Sequence, residues 1–482
     1  MRVKGAKTGT EIDRTCRTSI NRKIPRRPRN RSSQGLLIFS LLASTALVLS
    51  GCATYRPQPL DNSADPLKGP VVAAITQEPV TIDRVWLKPA VVDLARPLDG
   101  NAVAILTVLA NPDLKALRQR AGVADAQVFA AGLLPDPTIS VGASLPISAP
   151  DTLTSFAGAL ALDLNALRTR GVSRQKAQAE SRRVRLDLVW SEWQTAGQAR
   201  IQAARIISLK RRRTLETLSQ RAAQSLLDRS LRAAGRGDLP ADRVQAARIA
   251  AFDSANRLRT VEADLVAAES ELTKLMGLPP NYPLRLSESH LPAPPPDTAR
   301  LFAIALSQRA DLQALRAGYA AQEAAVHKAV LDQFPNLTLS IDGNRDNSGI
   351  VSAGPSVNFT LPLWNRNRGG IAIELATRAA LNAEYQARLF QTRAEIARAV
   401  TGLALVRRRH ARSVADLAAL RQMATASRHA ADRGDLSLET AEVAEQTLRD
   451  RELAIAQDEQ AIREQTIALE LLTGLPEELW PR

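Results

Sequence analysis

Four histidines (His290, His327, His410, His429) and two cysteines (Cys16, Cys52) are the only imidazoles and thiols in 482 residues. The histidines are far apart and lack ligand spacing, and a catalytic Cys–His pair is not suggested by either thiol. The chain also lacks a phosphate loop, a dinucleotide fingerprint, a nucleophile elbow and a zinc-protease motif, so no active site, cofactor or metal is expected. One thiol does sit in a chemically suggestive setting. Cys52 follows Leu49-Ser50-Gly51, at the end of an apolar run from Leu36 to Leu49.

What precedes that run explains most of the charge. The formal net charge is +15, and residues 1–35 hold eleven basic side chains against Glu11 and Asp13. Fourteen mostly apolar residues are too few to span a bilayer as a helix but suit the apolar region of an export signal. The order of basic region, apolar region and Cys resembles the bacterial lipoprotein signal. That resemblance implies cleavage after residue 51, acylation of Cys52 (palmitate among the chains), and, with Ala53 next, delivery to the outer membrane. An uncleaved anchor helix is the alternative. Without residues 1–51, 431 residues remain, with 53 Lys+Arg, 47 Asp+Glu and a net charge of +6. An exported chain does not meet nucleic acid. Lys210-Arg211-Arg212-Arg213 and Arg407-Arg408-Arg409-His410 therefore read as solvated helix faces.

The organisation is a lipoprotein signal peptide (1–51), a Pro-rich, lipid-anchored N-terminal arm (52–98) and a body that repeats itself. Asp113-Leu114-Lys115-Ala116-Leu117-Arg118 returns 198 residues later as Asp311-Leu312-Gln313-Ala314-Leu315-Arg316. Gly237-Asp238-Leu239 returns as Gly434-Asp435-Leu436, and Leu275-Met276-Gly277-Leu278-Pro279 as Leu472-Thr473-Gly474-Leu475-Pro476. The body is thus two repeats (99–278 and 299–482) joined by a Pro-rich linker (279–298). Each repeat should hold a helix from Pro112 or Arg309, then two strands of period two, then a Pro-free run of 63 residues and a return helix. The seam Leu258, Val261, Leu265, Ala268, Leu272 and Leu275 alternates steps of three and four, as in a coiled coil. Trp190 and Trp193 suit the wall of such a packed hairpin, and Trp364 an interfacial anchor at a strand end.

Ile139, Val141, Ala143 and Leu145 share one face of the first strand, against Thr138, Ser140, Gly142 and Ser144 on the other. The remaining strands alternate similarly, with Asp163 and Asp342 on polar faces. Four strands cannot close a barrel, and an open edge cannot stand in lipid. Closure by three copies would give twelve strands, within the even-numbered range of outer-membrane barrels. The expected fold class is mainly α with a small membrane β-barrel contribution. It is a tandem-duplicated helix-strand-strand-long helix-helix unit, assembled as a trimeric twelve-stranded barrel plus a periplasmic α-helical tunnel.

With Gly132-Leu133-Leu134-Pro135-Asp136-Pro137 before the first strand and Leu361-Pro362-Leu363-Trp364-Asn365-Arg366-Asn367-Arg368-Gly369-Gly370 after the last, the chain resembles the TolC-like outer-membrane efflux proteins, especially their lipoprotein branch. The resemblance implies a homotrimer in outer-membrane lipid, a periplasmic adaptor, and an inner-membrane pump reached through it. It also places adaptor contacts at the hairpin turns Arg236, Gly237, Asp238, Leu239 and Arg433, Gly434, Asp435, Leu436. In these turns the glycines suit left-handed helix caps, and Asp238 and Ser437 could cap the helices that follow. Family members often narrow the tip with acidic side chains, for which Asp435, Glu439 and Glu442 are candidates, although Thr440 and Val443 occupy the first-choice places. The function implied is a passive conduit for pump-exported substrates. The alternative is a periplasmic adaptor lipoprotein, which would carry one hairpin inserted in β-rich domains.

Overall fold

A computed structural model describes residues 55–60, 84, 86–88, 92–148, 153–280, 282–288 and 290–481. Cys52 and the signal-like segment 1–51 lie outside the described residues. The chain divides into two units, Met1–Ser63 and Ala64–Arg482. Of the first, residues 55–60 have no regular secondary structure and are exposed; all that follows concerns the second.

The duplication is explicit in the element order. The first repeat runs α1 (Gly100–Ala110), α2 (Pro112–Gly132), β1 (Thr138–Ser144), β2 (Ser155–Asp163), α3 (Leu164–Gly235) and α4 (Ala241–Leu275). The second runs α5 (Thr298–Gln308), α6 (Ala310–Leu331), β3 (Leu337–Arg345), β4 (Val351–Phe359), α7 (Arg368–Asp432) and α8 (Leu438–Thr473). At 1.5 Å per residue, the 72 residues of α3 and 65 of α7 extend about 108 and 98 Å.

Two elements go beyond the expected plan. Helices α1 and α5 precede the helices expected from Pro112 and Arg309, and they supply the core of each repeat. Val103, Leu106 and Val108 of α1 are fully buried among Ala199, Ile206, Leu265, Leu272 and Met276 of the first hairpin. Leu301 and Ala305 of α5 pack on Ile396, Leu403, Ile462 and Leu469, with Trp480 closing the second core. The stretch expected as an extended arm ends in this packing: Val92, Leu94 and Leu98 are buried in the first core. There Leu98 bonds in parallel to the linker, accepting from Ser287 N and donating to Arg285 O, both at 2.9 Å. Trp86 lies 4.8 Å from Trp193, ring centroid to centroid.

Most of the hairpin seam is as the spacing predicts: Val261, Leu265, Ala268, Leu272 and Leu275 are buried, as are Ile455, Ile462 and Leu469 of α8, whereas Leu258, the first expected seam residue, is only half-buried. Helix α3 packs against α4 and α8, and α8 against α7. At Gly197 the Leu471 side chain of α8 lies directly against the α3 backbone. A Cβ there would stand 2.4 Å from the Leu471 side chain, whereas one at Gly402 would stand 3.6 Å from Gln465.

Candidate functional site

The four strands form one antiparallel sheet in the order β1-β2-β3-β4. The alternation expected from sequence is kept, with shorter strands: β2 stops at Asp163 and β4 at Phe359, rather than at Leu164 and Leu363. Asp163 ends its strand because its carboxylate caps α3, accepting from Asn165 N at 2.8 Å and Ala166 N at 3.2 Å. After β4, Arg366 and Asn367 both take left-handed backbone angles. Asn367 then donates to the Ala329 carbonyl at 2.8 Å, anchoring the turn into α7.

Register assigns the faces. Ile139 pairs with Leu160, Leu160 with Ile341, and Ile341 with Pro355; Leu162, Leu339 and Val357 continue this apolar face. Its side chains are bare, with Val141 83% and Ile341 61% exposed. The other face carries Ser140, Ala159, Asp342 and Gly354 across one row and Ala157, Asn344 and Ser352 across the next. An apolar face of this extent left in water would be costly, so it needs a cover. The outer ladder edges of β1 and β4 also have no partner strand among the described residues. No helix among the described residues is long and apolar enough to cross a membrane.

At the opposite ends of the hairpins the two turns are built alike. Gly237 (φ +81°) and Gly434 (φ +84°) are left-handed. In the first, Asp238 N donates to Ala233 O and Gly237 N to Ala234 O, both at 2.9 Å. In the second, Asp435 N donates to Ala430 O at 2.9 Å and Gly434 N to Ala431 O at 3.0 Å, which makes two Schellman caps. Arg236 meets Asp238, and Arg433 meets Asp435, each at 2.9 Å. Ser437 caps α8 through Thr440 N at 3.1 Å, as expected. Asp238 does not cap α4, because the helix starts only at Ala241 and the N-cap position falls on Pro240, which has no side chain able to bond; the Asp238 carboxylate pairs with Arg236 instead. Leu239 and Leu436 complete the turns beside these pairs.

The candidate gate carboxylates are each met by an arginine. Asp435 pairs with Arg433, as above. Glu439 accepts from Arg243 at 2.9 Å, joining the start of α8 to the start of α4. Glu442 is buried and accepts from Arg229 of α3 at 3.1 Å and Arg428 of α7 at 3.0 Å. Arg428 also meets Glu445 at 2.6 Å. Hydrogen bonding to these two carboxylates raises the Arg428 pKa further above its usual value, and the Arg428 bond holds Glu445 below its usual range. Sequence reasoning missed these partners.

Further from the tip, the hairpins are joined by a ladder of α3 arginines and α8 carboxylates. Arg200 meets Glu470 at 2.5 Å, Arg205 meets Glu464 at 3.1 Å, and Arg211 meets Glu459 at 2.8 Å. Pairs of this kind are individually weak where exposed. Glu470, 2% exposed, is the member whose desolvation demands its partner. Among the described residues no group of three His, Cys, Asp or Glu could hold a metal ion. Trp190 receives the Arg309 guanidinium 4.9 Å from its ring centroid.

Residues 301–475 match the family model described as outer membrane efflux protein. The fold is similar to the Campylobacter jejuni CmeC outer membrane channel, with a TM-score of 0.65 and 15% identity over 78% of this chain and 85% of that one. It is similar to the Vibrio cholerae outer membrane protein VceC, with a TM-score of 0.64 and 16% identity over 78% and 96%. The open state of the Neisseria gonorrhoeae MtrE outer membrane channel gives 0.60 and 13% over 88% and 98%. No curated protein matches the chain in sequence.

Proposed function

We propose that this chain, whose residues 301–475 match the outer membrane efflux protein family model, is the outer-membrane channel of a tripartite efflux system, a passive conduit for substrates delivered by an inner-membrane pump. The observation that carries this reading is the sheet: one bare apolar face, one polar face, two open edges, and hairpins of about 100 Å hanging from its base. Three copies joined edge to edge would bury every ladder group, turn the apolar faces to lipid and the polar faces to a water-filled lumen. The helices would then continue the passage through the periplasm. Two hairpins and such a sheet disfavour the adaptor alternative, which needs only one hairpin.

Acylation of Cys52 would tether each protomer to the outer membrane. The hairpin turns would present Arg236, Leu239, Arg433 and Leu436 to a periplasmic adaptor, through which the pump is reached. Within each chain, Glu442 ties α3 to α7 and α8 near the tip. No chemical step is assigned to the chain: its work is to enclose water and to open.

The docking role is tested by Gly237→Pro and Gly434→Pro. Proline fixes φ near −65° and cannot adopt the left-handed angle at either turn. Both variants should assemble normally, since the strands are remote, yet lose export in cells. Normal export by both would refute the tip assignment.

A further inference from the structure

We propose that the inner face of the sheet is a charge filter that makes the conduit favour cations, with Asp342 as its principal residue. The proposal deepens the channel reading and rests on it. Within the four strands the ionisable side chains are Asp163, Asp342 and Arg345. Arg345 lies opposite Phe156 and Val351, on the apolar face. Asp163 pairs with Thr338 and Asp342 with Ala159 and Gly354, on the polar face. The prospective lumen wall therefore carries two carboxylates per chain and no cation.

The sheet curls towards this side. A concavity of about 660 Å³ is lined by Ser140, Gly142, Ala157, Asp342, Asn344 and Ser352. Asp342 sits at mid-strand and is held by hydroxyls: Ser340 Oγ stands 3.2 Å from Oδ2, and Ser356 Oγ also donates to Oδ2. Ser340 and Ser356 are themselves 2.6 Å apart. These neutral donors orient the carboxylate, and no cation pairs with it among the described residues. The tip carboxylates differ in just this respect, because Asp238, Asp435, Glu439 and Glu442 each face an arginine. Charge selection therefore falls to the barrel.

Range favours the same conclusion. Twelve strands about 4.8 Å apart and tilted by roughly 40° enclose a backbone radius of about 12 Å. Side chains narrow the lumen to about the Debye length at 0.1 M salt, near 10 Å. Three Asp342 carboxylates at one level, inside low-dielectric walls, would hold the whole cross-section at negative potential. Cationic solutes would pass more readily than anionic ones of equal size.

The test is the reversal potential of the purified full-length protein in a planar bilayer under a KCl gradient, with trimer formation checked by gel. The wild type should reverse on the cation-selective side. D342N should move the potential towards zero, and D342K should change its sign. An unselective or anion-selective wild type, a D342N channel as selective as the wild type, or selectivity lost in E439Q but not in D342N would overturn the proposal and leave the conduit reading standing. A protein that forms no pores would instead overturn the conduit reading itself.

Discussion

Asn111 and Arg309 stand 198 residues apart and hold the ends of the two return helices in the same way. Asn111 Nδ2 donates to the Leu275 carbonyl at 2.9 Å and Arg309 Nη1 to the Leu472 carbonyl at 3.1 Å. Both residues are buried, and each precedes the first helical residue of α2 or α6. The contact survived duplication while the side chain did not. Asn111 also caps α2, accepting from Leu114 N at 2.9 Å. Arg309 binds Asp311 through two bonds of 2.9 and 2.7 Å. Burial alone would push the Asp311 carboxyl up, but Arg309 and Arg388 outweigh it and hold it below its usual range.

The two residues should therefore differ in how badly they are missed. Asn111→Ala removes a cap and one buried bond and should cost about 1–2 kcal/mol. Arg309→Ala leaves Asp311 buried with Arg388 alone and should cost about 3 kcal/mol. Thermal melting of the detergent-extracted protein should rank them in that order.

Left-handed glycines offer a cleaner comparison. Gly237 has open space around its missing Cβ, whereas a Cβ on Gly277 (φ +61°) would lie 2.5 Å from the Ala110 carbonyl oxygen. Gly237→Ala should cost about 1 kcal/mol, from backbone strain alone. Gly277→Ala adds a clash with backbone and should cost about 3 kcal/mol or more. Equal melting temperatures for the two variants would contradict the packing described at the α1–α2 junction.

Inside the long helices, Gly197 and Gly402 should likewise part company. Gly402→Ala has room and gains helix propensity, so stability should rise by up to about 1 kcal/mol. Gly197→Ala must displace Leu471 and should lower it. Parallel melts of the two single variants read the difference directly.

The pH response has one distinctive contributor. Glu477, half-buried, is pushed up to about 6, first by burial and then by Glu470 and Glu478, against the opposing charges of Arg200 and Arg407. A carboxyl with a raised pKa favours the folded state while protonated. Its contribution is complete below its ordinary value of 4.5 and is lost as pH rises towards 6. Partial exposure limits the effect to about 1 kcal/mol. Glu477→Gln should flatten melting temperature across that window, and an unchanged slope would show that Glu477 is ordinary. Glu445, held low by Arg428, acts in the opposite sense, losing its contribution as pH falls below the usual carboxylate range.

Much of this architecture is legible in the sequence because duplication repeats its own signals. The turns at Gly237 and Gly434, the seam from Val261 to Leu275 and the strand faces all follow from local spacing. Helix α1 does not, because Ala102 to Val108 is apolar on every side, and a helix buried all round shows no polar period. The partners of Glu442 were hidden for another reason. Arg229 is 213 residues away, and only the packing of α3 against α8 brings them together. Asp238 misleads for a third reason: it is a good capping residue, but α4 begins two positions too late for it, with Pro240 at the N-cap.

The central claim is that the strands close between chains around a water-filled lumen. Native mass measurement of the extracted full-length protein, coupled to conductance in planar bilayers, tests it most directly. The account predicts a species of three chains that forms discrete, stable pores. Monomers that leave the bilayer insulating would contradict it.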